Sequence, residues 1–261
     1  MKLFDLTFKN ALITGGTHGL GMAIAEALAQ SGAQLIITGT TPSKMEEALA
    51  YYRSKGYRAH GYLFDVTDEV AAQKNVDLII KEIGNIDILV NNAGIIKREL
   101  AITMPVADFR KVIDVDLVGP FIMSQLVAKQ MIERKEGKII NICSMMSELG
   151  RNSVSAYAAA KGGLKMLTKN LATEWAKYNI QVNGIGPGYF ATTQTEPIRV
   201  DGHPFNEFII NRTPAARWGD PEDLAGTAVF LASKASDFVN GQVIYVDGGI
   251  LATIGKPYNE E

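Results

Sequence analysis

The chain has 261 residues, 47% hydrophobic and 21% charged, with a formal net charge of −2. That length suits one large α/β domain, and near-neutral charge with no Lys/Arg run argues against nucleic acid or an anionic membrane as partner. A single cysteine, Cys143, excludes an intrachain disulfide framework. No apolar run reaches the roughly 20 residues of a membrane span, and the opening MKLFDLTFKNALITGG lacks a secretory apolar stretch, so a cytoplasmic setting is expected.

Short apolar runs alternate with longer amphipathic stretches, the pattern of βαβ units. In chain order, 11–13, 34–38, 58–64, 86–90, 138–143, 180–185 and 242–246 read as strands, several apolar on both faces as parallel strands require. Between them lie helices predicted over 20–30, stopped by Ser31-Gly32, and over 43–55, stopped by Gly56. A third starts at Thr67-Asp68-Glu69-Val70, which offers a cap and early acidic residues. Two long helices follow over 105–135 and 153–178, and Asp220-Pro221 marks a sixth start. The expectation is one doubly wound parallel sheet in a single domain spanning 1–261. The weakly periodic stretch 190–216 breaks the rhythm and reads as a substrate lid.

The first predicted strand runs into Thr14-Gly15-Gly16-Thr17-His18-Gly19-Leu20-Gly21 and then a helix. Glycine permits a tight turn and close approach to a pyrophosphate, and the helix start offers free N–H groups at a positive dipole end. The spacing, Gly-x3-Gly-x-Gly, differs from the commoner Gly-x-Gly-x-x-Gly dinucleotide loop.

Tyr157 and Lys161 stand four residues apart on a predicted helix and share a face. A phenol with a reference pKa of ~10 is a poor base at neutral pH. An ammonium about 5 Å away contributes roughly 3 kcal/mol at an effective dielectric of ~20, enough to lower the phenol by about 2. Such a tyrosine exchanges a proton with a hydroxyl or a carbonyl. Taken alone, the pair also fits an ordinary amphipathic helix with a solvated lysine. Ser144, just past the fifth strand, sits at the edge where doubly wound sheets bind ligands.

Together these motifs resemble the short-chain dehydrogenase/reductase family over essentially the whole chain. The matching residues are Thr14-Gly-x3-Gly-x-Gly21, Asp65-Val66, Asn91-Asn92-Ala93-Gly94, Ser144, Tyr157-x3-Lys161, Pro187-Gly188-x3-Thr192 and Asp247-Gly248-Gly249. The resemblance implies a Rossmann fold with strand order 3-2-1-4-5-6-7, hydride transfer with NAD(P), and a homotetramer packed through the two long helices. It implies Tyr157 as general acid/base, Lys161 lowering its pKa and holding the nicotinamide ribose, and Ser144 orienting the substrate. It assigns the dinucleotide to Gly15, Thr17, His18, Gly19, Leu20 and Gly21 in the loop and to Thr40 after the second strand. Asp65 and Val66 fall at the adenine, Asn92 with Ala93 and Gly94 at the adenosine ribose, and Pro187, Gly188, Phe190 and Thr192 at the nicotinamide end. No metal is expected.

One position departs from the family pattern. Where it usually carries Asn-Leu-x-Gly, this chain reads Asp116-Leu117-Val118-Gly119. A role resting on the backbone carbonyl survives, and a buried carboxylate there would hold Lys161 protonated, which counts Asp116 among the catalytic residues.

The second strand ends Ile37-Thr38-Gly39-Thr40-Thr41-Pro42-Ser43-Lys44, with no carboxylate to repel a 2′-phosphate, and His18 stands where many NADP enzymes of the family carry Arg. NADP(H) is therefore expected as the preferred cofactor, with NAD(H) usable. Thr40, Thr41 and Ser43 also fit simple capping of the next helix, with Ser43 the favoured cap.

Within the family the chain is similar to the branch interconverting D-gluconate and 5-dehydro-D-gluconate. Asn92-Ala-Gly-Ile-Ile-Lys-Arg98, Lys138 to Arg151, His203-Pro-Phe and Thr213-Pro-Ala-Ala-Arg-Trp-Gly219 carry that similarity. A sugar acid needs cationic donors for its carboxylate, and Arg98 and Arg151 start near the ligand edge. Met145 is expected to wall the pocket or lie in the core, Glu148 to bond sugar hydroxyls or pair with Arg151, and Trp218 to lie in the core. The alternatives are a related deoxy-hexulosonate such as 2-dehydro-3-deoxy-gluconate and, in a different class, a nucleotide-binding regulator without turnover. An acyl-carrier thioester is disfavoured, because no basic patch for an acidic carrier is evident.

Overall fold

The computed structural model describes residues 2–193 and 195–255; Gln194, within the expected lid, and both ends of the expected 1–261 domain lie outside the described residues. Seven parallel strands form one sheet: β1 (Asn10–Thr14), β2 (Gln34–Gly39), β3 (Ala59–Leu63), β4 (Ile88–Asn91), β5 (Gly137–Ile142), β6 (Ile180–Pro187) and β7 (Val243–Val246). Their order is β3-β2-β1-β4-β5-β6-β7, the expected Rossmann order. The chain reverses direction across the sheet between β1 and β4, which opens a crevice at the carboxyl ends of those strands.

Alternation along the strands divides the core in two. Ala11, Ile13, Leu35, Ile37, Ile88, Val90, Ile140 and Ile142 face one side. There they meet Ile24 and Leu28 of α1 (Gly19–Gln30) and Leu231 of α8 (Ala225–Ala232). Leu12, Ile36, Leu89, Ile139 and Val182 face the other. Their partners are Val76 and Ile79 of α3 (Glu69–Glu82), Met123 and Val127 of α5 (Gly119–Arg134) and Leu171 of α6 (Ser155–Trp175). Each fully buried aliphatic side chain contributes roughly 1.5–3 kcal/mol, so both faces hold the strands in register.

Helix boundaries differ from expectation where local chemistry decides them. Helix α2 (Pro42–Ser54) begins at the proline, with Thr41 as an N-cap that makes no side-chain bond, so Ser43 is not the cap. Within the expected start at Thr67-Asp68-Glu69-Val70, the cap of α3 is Asp68, which accepts from the Ala71 N–H at 2.9 Å. Thr67 is held instead by Asp65 Oδ1, through its N–H at 2.9 Å and its hydroxyl at 2.8 Å. The long helix expected over 105–135 is α4 (Val106–Ile113), a π-helical turn (Asp114–Val118) and then α5. Pro120 has no N–H for the carbonyl of Asp116 four residues back, and the Gly119 N–H reaches Asp114 O five residues back. The stretch 190–216 is not all loop. It contains α7 (Pro204–Arg212), started by Pro204 at its first position and by His203, whose Nδ1 accepts from the Phe205 N–H at 3.1 Å.

Candidate active site

The loop after β1 is built to receive an anion. Gly15 and Gly19 have φ of +65° and +56°, conformations that favour glycine. A Cβ on Gly21 would stand 2.4 Å from both Asn92 Nδ2 and Gly15 O, so only glycine fits there. His18 is the N-cap of α1 and makes no side-chain bond to the helix; its Nδ1 meets the Thr17 hydroxyl at 3.0 Å. The first N–H groups of α1, at Gly19, Leu20 and Gly21, are left to a ligand by this cap. Burial and the nearby Lys44 ammonium hold the His18 imidazole below its usual pKa. Thr40 and Lys44 stand exposed after β2 with no carboxylate between them. These features fit a dinucleotide phosphate.

Asn92, expected at the adenosine ribose, spends its amide on the loop: Nδ2 donates to Thr14 O and Gly15 O, each at 3.0 Å. Thr14, outside the expected site residues, ties the same junction, its hydroxyl accepting from the N–H groups of Asn92 and Ala93 at 3.0 Å. Asp65 is exposed and Val66 buried beneath it, packed against Gly119. Across the cleft, β6 ends at Pro187. A Cβ on Gly188 would lie 2.8 Å from Asp247 Cα, so Gly188 allows close backbone contact. Phe190 is buried and bridges Gly219, while the Thr192 N–H is held by the Thr195 hydroxyl at 2.9 Å.

The helix α6 delivers Tyr157 and Lys161 to the carboxyl edge of β5. Lys161 Nζ lies 5.5 Å from the Tyr157 ring centroid and donates to Ile142 O at 2.8 Å. It also pairs with Asp116 Oδ2 at 3.2 Å, while Asp116 Oδ1 accepts from the Ile95 N–H at 2.7 Å. Asp116 Oδ2 has no hydrogen bond of good geometry, so the Lys161 contact is chiefly electrostatic. Gly94 makes room for that carboxylate: a Cβ would stand 3.0 Å from Oδ2. Ser144 caps a 3-10 turn (Met145–Ser147), its hydroxyl accepting from the Met146 N–H at 3.1 Å. The Ser147 hydroxyl donates to Lys161 O at 2.9 Å, binding the Ser144 turn to the Lys161 turn of α6. Cys143 is buried and its thiol is pushed up to about 11, chiefly by burial.

The expected substrate residues divide. Met145 is buried under the Ser144 turn, and Arg98 is exposed on the loop after β4. Glu148 does not pair with Arg151; it accepts from Lys165 and from the Tyr245 hydroxyl at 2.6 Å. Arg151 instead stacks on Phe205, its guanidinium carbon 4.3 Å from the ring centroid. Trp218 is half-buried outside the main core, in an aromatic cluster with Tyr189 and Phe205, because its indole N–H needs Asn206 Oδ1 at 2.7 Å.

Sequence reasoning missed a buried amide ladder behind the site. Asn91 Nδ2 donates to Asn141 Oδ1 at 2.8 Å and to Ser124 Oγ at 2.9 Å, and Asn141 Nδ2 donates to Thr168 Oγ1 at 2.9 Å. Two asparagines at the same register of β4 and β5 were the available signal.

A family model described as enoyl-(acyl carrier protein) reductase matches residues 15–251. A protein of Formosa agariphila named 2-dehydro-3-deoxy-D-gluconate 5-dehydrogenase is 68% identical, over 100% of this chain and 99% of its own. The solved 2-keto-3-deoxy-D-gluconate dehydrogenase from Streptococcus agalactiae has a TM-score of 0.85 at 57% identity, covering 98% of both chains. The gluconate 5-dehydrogenase from Burkholderia cenocepacia J2315, solved with NADP and tartrate, has a TM-score of 0.93 at 43% identity. That alignment covers 97% of this chain and 99% of the other. With the ordered motifs, the sheet order and these similarities together, the chain belongs to the short-chain dehydrogenase/reductase family.

Proposed function

We propose that this protein interconverts a hydroxyl and a carbonyl at C5 of 2-dehydro-3-deoxy-D-gluconate, with NADP(H) preferred and NAD(H) accepted. As a family member it is an NAD(P)-dependent oxidoreductase. The reading is carried by the convergence of Tyr157, Lys161 and the Ser144 turn, in a chain 68% identical over its whole length to a 2-dehydro-3-deoxy-D-gluconate 5-dehydrogenase. D-Gluconate and 5-dehydro-D-gluconate, first in the sequence reading, become the second reading, favoured by the 43% identical gluconate 5-dehydrogenase.

Bound NADP(H) supplies the acceptor or donor of the hydride. Tyr157 takes the hydroxyl proton during oxidation and returns it during reduction, a role worth roughly 10²- to 10⁴-fold. The Lys161 ammonium stabilises the phenolate and would hold the nicotinamide ribose of a bound cofactor, Asp116 keeps that ammonium charged, and Ser144 donates to the substrate oxygen. Arg98 offers charge to the acid, and Met145 backs the pocket. His18, Thr40 and Lys44 receive the 2′-phosphate, for which the absence of a carboxylate after β2 is the support. A cytoplasmic homotetramer packed through α5 and α6 completes the proposal, supported by exposed Phe121 and Met166 on those helices.

The test is cofactor absorbance with both acids and both cofactors, using Tyr157→Phe as control. The expected result is at least tenfold higher kcat/KM for the deoxy acid and for the NADP pair, with the control down at least 100-fold. Preference for D-gluconate would install the second reading. Turnover of an acyl-carrier-protein thioester in place of both acids would sink the proposal.

A further inference from the structure

Arg151 occupies a setting unlike that of a solvated surface arginine. It stands on the segment between the Ser144 turn and α6, and it reaches across to residues that follow β6. Its guanidinium carbon lies 4.3 Å from the Phe205 ring centroid and 6.0 Å from that of Tyr189, and Nη1 donates to the Tyr189 hydroxyl at 3.2 Å. This mount is itself fixed. Tyr189 meets Phe205 and Trp218 edge-on at 5.7 and 5.8 Å, and the Trp218 indole is tied to Asn206 of α7.

Lys97, Arg134, Lys138, Lys165 and Arg217 all have carboxylate partners. Among the described residues Arg151 has none, and its Nε and Nη2 have no protein acceptor. A guanidinium laid on aromatic faces keeps its flat edge open, and that edge matches the two oxygens of a carboxylate. A backbone bond from the Glu99 N–H to Ser153 O, 3.0 Å, joins the Arg151 segment to the loop after β4, at the ligand edge of the sheet.

The geometry points to Arg151 as the residue that receives the substrate's carboxylate, through its Nε–Nη2 edge, with the aromatic cluster around α7 as its mount. The inference rests on the sugar-acid reading above and gives it a basis for choosing acids over neutral polyols. Tyr189 and Phe205 are then positioning residues: they set the plane of the guanidinium and need not touch substrate. Lysine at 151 would keep the charge and lose the planar edge.

The experiment compares 2-dehydro-3-deoxy-D-gluconate with its methyl ester, which keeps every hydroxyl and loses the negative charge. Charged hydrogen bonds of this kind are worth roughly 10- to 100-fold in binding. The wild type is expected to favour the acid over the ester by that factor in KM. Arg151→Ala should remove most of the preference, the remainder being what Arg98 supplies, raising KM for the acid with kcat within threefold and leaving the ester within twofold. Phe205→Leu should raise KM for the acid alone by a smaller factor, and Arg151→Lys should not restore it. Titration calorimetry of the acid into Tyr157→Phe enzyme saturated with NADP⁺ should give the same loss of affinity with Arg151→Ala added. Equal losses for acid and ester, or an unmoved KM for the acid, overturn the inference while the enzymatic reading stands. If the wild type turns over no sugar acid, that reading falls and the inference with it.

Discussion

Lys161 Nζ stands 3.2 Å from Asp116 Oδ2, and the two residues are 4% and 0% exposed. Burial alone would push the ammonium down, but the neighbouring Tyr157 and the Asp116 carboxylate outweigh it, and Lys161 is held above the usual lysine range. Burial also pushes the Asp116 carboxyl up, with Lys161 pulling against it. The family's usual asparagine cannot supply this opposing charge.

Asp116→Asn therefore moves the pH–rate profile. Without the carboxylate, Lys161 loses its proton at lower pH, so the alkaline limb falls earlier. That carries the optimum to lower pH, read from kcat/KM between pH 6 and 11. An unmoved profile would mean that the pair does not govern proton transfer.

His18 sits below its ordinary pKa in the free protein, through burial and the Lys44 charge. A 2′-phosphate dianion would stabilise the imidazolium and raise that pKa. NADP⁺ affinity should then strengthen as pH falls from 7.5 toward 5.5, whereas NAD⁺ affinity stays flat. His18→Ala should remove the slope, as measured by calorimetric Kd values across that range.

Glu148 braces the Ser144 turn against Lys165 and Tyr245 rather than pairing with Arg151. Glu148→Gln should lower kcat about three- to tenfold with KM nearly unchanged, since the positioning is loosened and no carboxylate site is lost. Lys165 first and Tyr245 second hold the Glu148 carboxyl below its usual value. Its stabilising contribution is thus present above the unfolded pKa and fades as pH drops through the folded one. A rise in KM with kcat intact would return Glu148 to the substrate pocket.

Gly21→Ala should be the most damaging single methyl in the phosphate loop, because its Cβ would stand 2.4 Å from Asn92 Nδ2 and Gly15 O. Cofactor Kd should rise at least tenfold while the sheet persists by circular dichroism. A variant binding NADP⁺ like the wild type would show that the loop shifts at little cost.

Much of this was readable in the chain. Short continuous aliphatic runs mark β1, β2, β4 and β5, because a strand covered on both faces must be apolar throughout. The Tyr157–Lys161 spacing already implied a shared helical face. Other features depend on partners distant in sequence. Glu148 meets Tyr245, 97 residues away, and no local pattern tells a carboxylate which of several cations will lie nearest. The helix α7 escaped because its capping atom belongs to His203, an uncommon cap, and its nine residues give little periodicity. The stacking of Arg151 on Phe205 was equally hidden, since it joins the loop before α6 to the first turn of α7.

The π-helical turn over Asp114–Val118 makes the length of this helix, as well as its composition, a determinant of charge placement. Each residue in an α-helix advances the azimuth by about 100°. Deleting one residue from the turn would restore ordinary winding and swing either Asp116 or everything beyond it away from its present bearing. Substitution tables cannot express that event. Single-codon losses within 114–118 should uncouple carboxylate from amine more cleanly than any replacement there, and length variation at this point is where divergence within the fold would retune proton chemistry.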